Sequence, residues 1–533
     1  MYKLHWLIFG LLSHYIQAAI TIPQRIPPGK AGTWPGAWSR NLWCIVNKSQ
    51  RTNDALFKEL DKGFFNGALA GWLLPPAKFS AYKVKSEHLG VWAYAIISGA
   101  AGGPVALETS LRAFFKTKGI RYPFTVCEWY AYQLSPPGVE HWYDQEGNGS
   151  SQNKIQSRSY IGADRRSHEL TRALIRNKRP DSRNETSKIH GSRYNVRGLD
   201  EPSNKNEVVV LKNAPTGLPM LSAPKDPGFV RAREAEDAYF HYKNPGKGVI
   251  IYVLDTGFER SHEEVEDIKI QDWILGGNFP IEKGTESPYD RLRHGTLLAA
   301  KIAGKRTGIA QDAELVIAAQ ADGTGLPSYP TFFDTILRIY DHIKSQNPDK
   351  PCIISITTKA DFDIEGSTTK SLAAGMVKEI MYKLRDLENV IVVTYAGNEN
   401  PDVKISDIIP KLGADKSLTN SVVAGAVDKN GLNYCQSDAA FRNMVWAQGQ
   451  DVEIPTWPKG YRHKDVDGGT SMASATVSGI LASYLSQDLR LRNRVENAVE
   501  RLKSLSWEWN SSGPPVIHNG ITPDQWPAEG QWF

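Results

Sequence analysis

The chain has 533 residues, of which 41% are hydrophobic and 23% are charged, and its formal net charge is +5 at pH 7. This length predicts two folded units joined by linkers, and the composition is ordinary for a soluble globular protein. So small a net charge, without a long basic run, argues against nucleic acid or a membrane surface as a partner.

Residues 1–19 have the arrangement that is typical of a secretory signal peptide. Lys3 precedes an apolar stretch from Leu4 to Ile16, and the small residues Ala18 and Ala19 follow it. The apolar part is too short to span a bilayer, and no other stretch is long and apolar enough. We therefore expect a secreted, extracellular protein with no membrane anchor. In that compartment glycosylation is expected at four sequons, which begin at Asn47, Asn148, Asn184 and Asn510.

Residues 20–134 are predicted to form a small α+β unit after a lead-in rich in Pro, Gly and Trp. Its predicted elements are a strand, a helix, an amphipathic stretch and a second strand, at Leu42–Val46, Thr52–Asp61, Glu108–Thr117 and Pro123–Leu134. Residues 135–206 then become polar, with basic pairs at Arg165-Arg166 and Lys178-Arg179. Because this segment has too few apolar residues to offset its ordering entropy, it is predicted to be a flexible linker open to proteolysis.

Residues 207–520 alternate short β-branched apolar runs with segments of helical periodicity. The runs predict strands at Val249–Leu254, Leu315–Ala319, Cys352–Ile356, Val390–Val393 and Val422–Val427. The helical segments are Thr296–Ala303, Thr331–Lys344 and Ser367–Leu387. This alternation predicts an α/β domain with helices on both faces of a mostly parallel sheet, whose chemistry gathers at the carboxyl ends of the strands. Residues 521–533 are interpreted as a C-terminal tail.

Four cysteines are too few to build a disulfide framework in a chain of this length. Two lie in the N-terminal third and two in the C-terminal half, at Cys44, Cys127, Cys352 and Cys435. One disulfide within each half and four buried free thiols both fit this distribution, and both interpretations stay open.

Four polar residues stand at the edges of predicted elements in the α/β domain. Asp255 ends a strand, His294 opens a helix, Asn398 follows a strand within Tyr395-Ala396-Gly397-Asn398, and Ser471 precedes a helix of small residues. Singly, such residues are most often turn formers, caps or surface residues. Together they supply what acyl transfer requires: a nucleophile, a base, a group that orients the base, and a donor to the oxyanion.

The segments around these residues resemble the catalytic domain of the subtilase family of serine peptidases, over about Leu221 to Gly520. The similar motifs are Tyr252 to Gly257, His294 to Ala310, Val422 to Asp428, and Gly469 to Ala473, in the chain order of the family. The resemblance implies that Ser471 is the nucleophile, His294 the general base and Asp255 the residue that orients it. It also implies that the side-chain amide of Asn398 joins the backbone N–H of Ser471 in an oxyanion hole.

The substrate-binding segment departs from the family pattern. Where subtilases usually have Ser-Leu-Gly, this chain has Thr357-Thr358-Lys359, and with Gly397 these residues are the predicted substrate-binding set. Lys359 cannot approach a substrate backbone as Gly does. No cofactor is expected for the chemistry. Subtilases often bind calcium, so a structural calcium ion is an expectation, but no metal ligands can be assigned.

The resemblance also gives the N-terminal unit a function. Secreted subtilases commonly carry a prodomain that assists folding, inhibits the enzyme and is then removed, and residues 20–134 occupy that place. The predicted protein is therefore a secreted serine endopeptidase that acts on proteins or peptides, with its own N-terminal unit as inhibitor. The alternative is a secreted, catalytically impaired relative that binds a partner. A third interpretation is an enzyme that cleaves only itself.

Overall fold

The computed structural model describes 79–86, 91–98, 207–225, 237–276, 290, 292–320, 329–358, 368–398, 409, 413, 415–434, 444–456, 461–463 and 469–528. The predicted signal peptide and linker lie outside these residues, as do the four elements predicted between Leu42 and Leu134. In that N-terminal part the structure describes an antiparallel hairpin of β1 (Phe79–Ser86) and β2 (Val91–Ser98), which the sequence analysis did not predict.

The α/β domain is built on a sheet of ten strands among the described residues. The further strands are β3 (Val208–Leu211), β4 (Tyr239–Tyr242), β5 (Ile250–Asp255), β6 (Ile270–Gly276), β7 (Glu314–Gln320), β8 (Cys352–Ile356), β9 (Val390–Tyr395), β10 (Ser421–Val427), β11 (Asn433–Tyr434), β12 (Met444–Gln448), β13 (Glu453–Pro455), β14 (Tyr461–His463), β15 (Trp507–Glu508) and β16 (Pro515–Val516). The large sheet has the order β15-β16-β12-β10-β9-β8-β5-β7-β6, and β11 pairs with β10.

Most neighbours in this sheet are parallel, as predicted. The exceptions are the β10–β11 and β15–β16 pairs, which are antiparallel. Every residue of the central strands β5, β8, β9 and β10 is buried. Strands covered on both faces need apolar side chains on both faces, which explains the continuous apolar runs in the sequence. The five predicted strands all form, and each end lies within two residues of its predicted position.

Helices cover both faces of the sheet. Among the described residues they are α1 (His294–Ala303), α2 (Tyr329–Gln346), α3 (Thr368–Arg385), α4 (Thr470–Gln487) and α5 (Glu496–Leu505). The same residues include short 3₁₀ helices at Pro219–Leu221, Leu489–Asn493 and Pro523–Gln525. Helices α2 and α3 pack together on one face, and α1 and α4 pack together on the other. The predicted fold class, an α/β domain with a mostly parallel sheet between helices, is therefore confirmed. No helix of the described residues is both long and apolar enough to cross a membrane.

The packed part of the domain continues past the predicted boundary at residue 520. Ile521 and Trp526 are buried with Phe240 of β4, and the rings of Phe240 and Trp526 stack with their centroids 4.1 Å apart. Ile521 and Trp526 thus belong to the core, although they lie beyond the predicted end of the domain. Cys352, at the start of β8, is a buried free thiol, so the structure has no disulfide at that cysteine.

A buried histidine joins this C-terminal segment to the start of the domain. His518 is 3% exposed; its Nε2 lies 3.0 Å from the carbonyl oxygen of Ala223, and its Nδ1 accepts a hydrogen bond from Gly520 N–H. These partners require the neutral ring with its proton on Nε2. Burial, opposed only in part by the bond to Ala223, lowers the pKa of His518 to about 4.

The domain is expected to become less stable in acid, because folding lowers the pKa of His518 and so opposes its protonation. The unfolded imidazole, with a pKa near 6.5, binds its proton before the folded one does, so the contribution is complete above that pH and is lost as the pH falls toward 4. The loss attributable to this residue is about 3 kcal/mol. Urea unfolding followed by tryptophan fluorescence should show a shallower pH slope for His518→Asn than for the unaltered protein. Parallel slopes for the two proteins would contradict the assignment.

Candidate active site

The sheet brings the predicted site residues to one edge. Asp255 is the last residue of β5, Thr357 follows the adjacent β8, and Asn398 follows β9, the next strand. Because these three strands are parallel neighbours, their carboxyl ends lie side by side. His294 and Ser471 stand in the first turns of α1 and α4, which pack against each other. Residues distant in the sequence are thereby gathered at the edge where α/β sheets bind ligands.

Asp255 and His294 form a buried hydrogen bond. His294 Nδ1 lies 2.8 Å from Asp255 Oδ1, and the two residues are 4% and 1% exposed. Burial alone would raise the pKa of Asp255, but the charge of His294 and hydrogen bonds from His294, Thr357 and Thr256 N–H outweigh it and lower the pKa. An ionised Asp255 requires a proton on Nδ1 of His294, which leaves Nε2 of the neutral ring as an acceptor.

The second carboxylate oxygen of Asp255 is held by Thr357. The hydroxyl of Thr357 donates to Asp255 Oδ2 over 2.5 Å, and the residue is completely buried. The carbonyl oxygen of Thr357 lies 3.5 Å from the hydroxyl oxygen of Ser471. Thr357 therefore contacts both the acid and the serine, an arrangement that the sequence analysis missed when it assigned this residue only to substrate binding.

Asn398 is oriented by the residue that precedes Ser471. Its Oδ1 accepts hydrogen bonds from Thr470 N–H at 2.9 Å and from the Thr470 hydroxyl at 2.8 Å. With the oxygen fixed in this way, the Nδ2 group of the half-buried amide points elsewhere as a donor. Gly469 has φ +103°, and a Cβ there would lie 2.7 Å from Asn398 Oδ1, so only glycine fits.

The other predicted substrate-binding residues are in different surroundings. Thr358 is buried, and its hydroxyl oxygen accepts a hydrogen bond from the amide of Gln320. Gly397 has φ +95°, and among the described residues no atom lies within 4 Å of the position of a Cβ, so this part of the structure leaves open space beside it. Lys359 lies outside the described residues. Of this set, Gly397 is therefore the described residue with room for a ligand beside it.

No role was predicted for Asp290, Arg293 and Thr296, which lie just before α1 or in its first turn. Asp290 is buried and accepts hydrogen bonds from the hydroxyl of Thr256 at 2.8 Å and from the N–H and hydroxyl of Thr296 at 2.8 and 2.6 Å. Arg293, directly before His294, has φ 58° and donates its N–H to the Asp290 carbonyl oxygen. An Asp placed shortly before a helix is a recognisable capping signal, which could have indicated Asp290.

A metal centre is not apparent in the part of the chain that the structure describes. No group of three or more His, Cys, Asp or Glu side chains is placed there to hold an ion. The buried acids near the site are instead satisfied by N–H and O–H donors, as the contacts of Asp255 and Asp290 show.

Residues 246–503 match the sequence model of a family described as the subtilase family. The chain is 28% identical over 319 residues to "Subtilisin-like protease 2" of Trichophyton tonsurans, covering 59% of this chain and 68% of the relative. It is 29% identical over 288 residues to the protein of that name from Arthroderma otae, covering 53% and 61%. A solved cold-adapted subtilisin-like serine proteinase aligns with a TM-score of 0.42 and 18% identity, over 58% of this chain and 99% of that one.

The bond from Thr357 to Asp255 should contribute measurably to stability. Thr357→Val has nearly the same shape but leaves a buried carboxylate oxygen without its donor, at a cost of about 1–3 kcal/mol in the free energy of unfolding. Thr357→Ser keeps the hydroxyl and should lose much less. Ser355→Ala, on the strand that precedes Thr357, is the matched control because the buried Ser355 hydroxyl has no hydrogen-bond partner among the described residues. Urea unfolding of the three variants tests this; equal losses for Val and Ser would contradict it.

Proposed function

We propose that Asp255, His294 and Ser471 are the catalytic triad of this chain, a subtilisin-like serine endopeptidase whose residues 246–503 match the sequence model of the subtilase family. Peptides or proteins are therefore its substrates. The observation that carries the triad proposal is the buried 2.8 Å contact between His294 Nδ1 and Asp255 Oδ1. It fixes the tautomer that a general base needs, with Nε2 as the acceptor.

The proposed reaction forms and then hydrolyses an acyl-enzyme. The Ser471 hydroxyl oxygen attacks the peptide carbonyl carbon as His294 Nε2 takes the hydroxyl proton. The tetrahedral intermediate collapses when the same proton passes from Nε2 to the leaving amine. Water then repeats the sequence on the ester, giving the carboxylic acid and restoring Ser471. Throughout, Asp255 stays ionised and stabilises the imidazolium, a role consistent with its lowered pKa.

The oxyanion would be stabilised by the side-chain amide of Asn398 and the backbone N–H of Ser471. Two observations support this: Thr470 engages Asn398 Oδ1, leaving Nδ2 to donate, and Ser471 stands in the first turn of α4, where free N–H groups and the helix dipole favour negative charge. Donors fixed before the reaction cost no reorganisation while the charge develops. Gly397, which borders open space beside Asn398, remains a proposed substrate-binding residue, together with the backbone of Thr357 to Lys359.

The altered Thr357-Thr358-Lys359 segment favours the competing interpretation, a catalytically impaired protein that binds a partner. Against that interpretation stands what Thr357 does in this structure. Its hydroxyl satisfies Asp255 Oδ2, so the change is compatible with a working triad. We therefore favour a catalytically competent enzyme whose altered segment bears on the substrate it accepts. No cofactor is proposed for the chemistry, and a structural calcium ion stays an expectation.

Secretion and processing complete the proposal. The signal-like residues 1–19 would direct the chain to the extracellular space, the unit at 20–134 would act as an inhibitory prodomain, and the polar segment at 135–206 would be cut. The hairpin of the N-terminal unit supports the prodomain role, because β1 lies beside helix α2 of the α/β domain.

A fluorophosphonate probe, which reacts with activated serine nucleophiles, provides the direct test. The folded protein, freed of its N-terminal unit, should become labelled and should hydrolyse an unrelated peptide. Ser471→Ala should abolish both, because the nucleophile is gone. Asn398→Leu should keep the nucleophile but lower kcat by about 10²–10³-fold, the range known for loss of one oxyanion donor in subtilisin itself. An unlabelled folded protein would favour the impaired binder, and labelling without turnover would favour an enzyme restricted to self-cleavage.

Maturation gives a separate prediction. Protein recovered from the medium of expressing cells should begin within or just after 135–206, because that segment is the cleavable connection. N-terminal sequencing measures the start directly. Ser471→Ala should keep the N-terminal unit if the enzyme processes itself. A mature N-terminus near Ile20 would contradict the prodomain role.

A further inference from the structure

A second buried carboxylate lies behind the proposed triad. Asp290 is fully buried and is connected to both Asp255 and His294 through two threonines. On one side Thr256 donates its N–H to Asp255 Oδ1 at 2.7 Å and its hydroxyl to Asp290 Oδ1 at 2.8 Å. On the other side Asp290 Oδ2 accepts from the N–H and the hydroxyl of Thr296, which stands in the first turn of the helix that begins with His294.

These contacts close a ring. It runs from the imidazole of His294 to Asp255, through Thr256 to Asp290, and through Thr296 back to the backbone of helix α1. A further hydrogen bond, 2.9 Å from Gly295 N–H to the Thr256 hydroxyl oxygen, connects the same helical turn to the residue that follows β5. The ring therefore fixes both ends of the Asp255–His294 bond relative to each other.

The directions of the hydrogen bonds require both carboxylate oxygens of Asp290 to act as acceptors. The Thr256 hydroxyl already accepts from Gly295 N–H, and the Thr296 hydroxyl already accepts from Glu259 N–H at 3.0 Å. Each hydroxyl hydrogen is thus directed at Asp290, and the Thr296 backbone N–H can only donate. Only a carboxylate offers acceptors on both sides; an amide of the same shape has one oxygen and one NH₂ group.

We propose that Asp290 is a positioning residue for catalysis, which locks the start of helix α1 so that His294 Nδ1 meets Asp255. The inference rests on the proposed function, since it assumes that His294 and Asp255 act as base and orienting acid. Asp290 touches neither the nucleophile nor the base. It acts through Thr256 on the acid and through Thr296 on the helix that carries the base.

One substitution can break the Thr256–Asp290 hydrogen bond of this ring while keeping the size of the side chain at position 290. In Asp290→Asn, the amide oxygen must face Thr296, because the backbone N–H there cannot reverse. The NH₂ group then faces the Thr256 hydroxyl, whose hydrogen loses its acceptor. The expected result is a fall in kcat of about 10- to 100-fold, as for small misplacement of catalytic groups. KM should stay nearly unchanged, because Asp290 does not contact substrate.

The control separates positioning from simple loss of stability. Asp488 is likewise a buried carboxylate at a helix start, accepting from Arg490 N–H, but it lies at the far end of α4. Asp488→Asn should lower the unfolding temperature without changing kcat per active site. Fluorophosphonate titration counts the competent sites in each preparation, so kcat refers to folded enzyme in every case.

Thr256 supplies a second test that does not depend on the folding of Asp290→Asn. Thr256→Val removes the Thr256–Asp290 bond and also the acceptor of Gly295 N–H, so it should lose at least as much kcat as Asp290→Asn. Thr256→Ser retains the hydroxyl and should keep most of the kcat. Because both Asp290→Asn and Thr256→Val break the Thr256–Asp290 bond, the double variant should be little worse than Thr256→Val alone.

The measurements distinguish failure of the proposed function from failure of the positioning role of Asp290. If the unaltered enzyme neither takes the probe nor cleaves peptide, the proposed function fails before Asp290 is tested. If the unaltered enzyme is active and Asp290→Asn and Thr256→Val keep its kcat per titrated site, the positioning role is overturned. It is also overturned if Thr256→Ser is as slow as Thr256→Val.

Discussion

The carboxylate of Asp255 is removed from water at the end of a central strand, and much of the site follows from the need to satisfy it. A buried charge without partners costs several kcal/mol or neutralises itself. Here His294, Thr256 and Thr357 supply donors to its two oxygens. Each donor comes from a different element, so satisfying one charge also fixes β5, β8 and α1 relative to one another. The fold thus supplies the donors that keep Asp255 charged, and the charge of Asp255 in turn holds these elements together.

The need to satisfy buried or half-buried polar groups also applies to Asp290 and Asn398. Asp290 is buried and saturated by donors, and Asn398 has its oxygen engaged by Thr470. The contacts of Asp290 engage both of its oxygens, whereas those of Asn398 engage the oxygen and leave Nδ2 available as a donor. The site is therefore rigid by hydrogen bonding rather than by packing alone, which suits a reaction that develops charge at defined atoms.

The strands and the peptidase class could be predicted from the sequence because each produces a local sequence pattern. Buried parallel strands appear as continuous apolar runs, and His294 and Ser471 stand in short motifs whose order is distinctive. The partnership between Thr357 and Asp255 leaves no such mark, since nothing local says toward which strand a side chain after β8 will point. The same holds for Trp526, which packs on Phe240 from the other end of the domain. The hairpin β1–β2 was not predicted, although its residues are rich in β-formers.

The order of the elements along the chain has a consequence for synthesis in the cell. Asp255 ends the first central strand to emerge, whereas Ser471 stands on α4, close to the C-terminal end, and α4 packs on four strands made before it. Chains are made from the N-terminus, and non-local contacts form late. A partly made chain can contain Asp255 and His294, but the helix that carries Ser471 is still missing. If the proposed triad is correct, the order of translation would delay peptide cleavage until nearly the whole domain exists, and would thereby protect the nascent chain and the machinery that makes it.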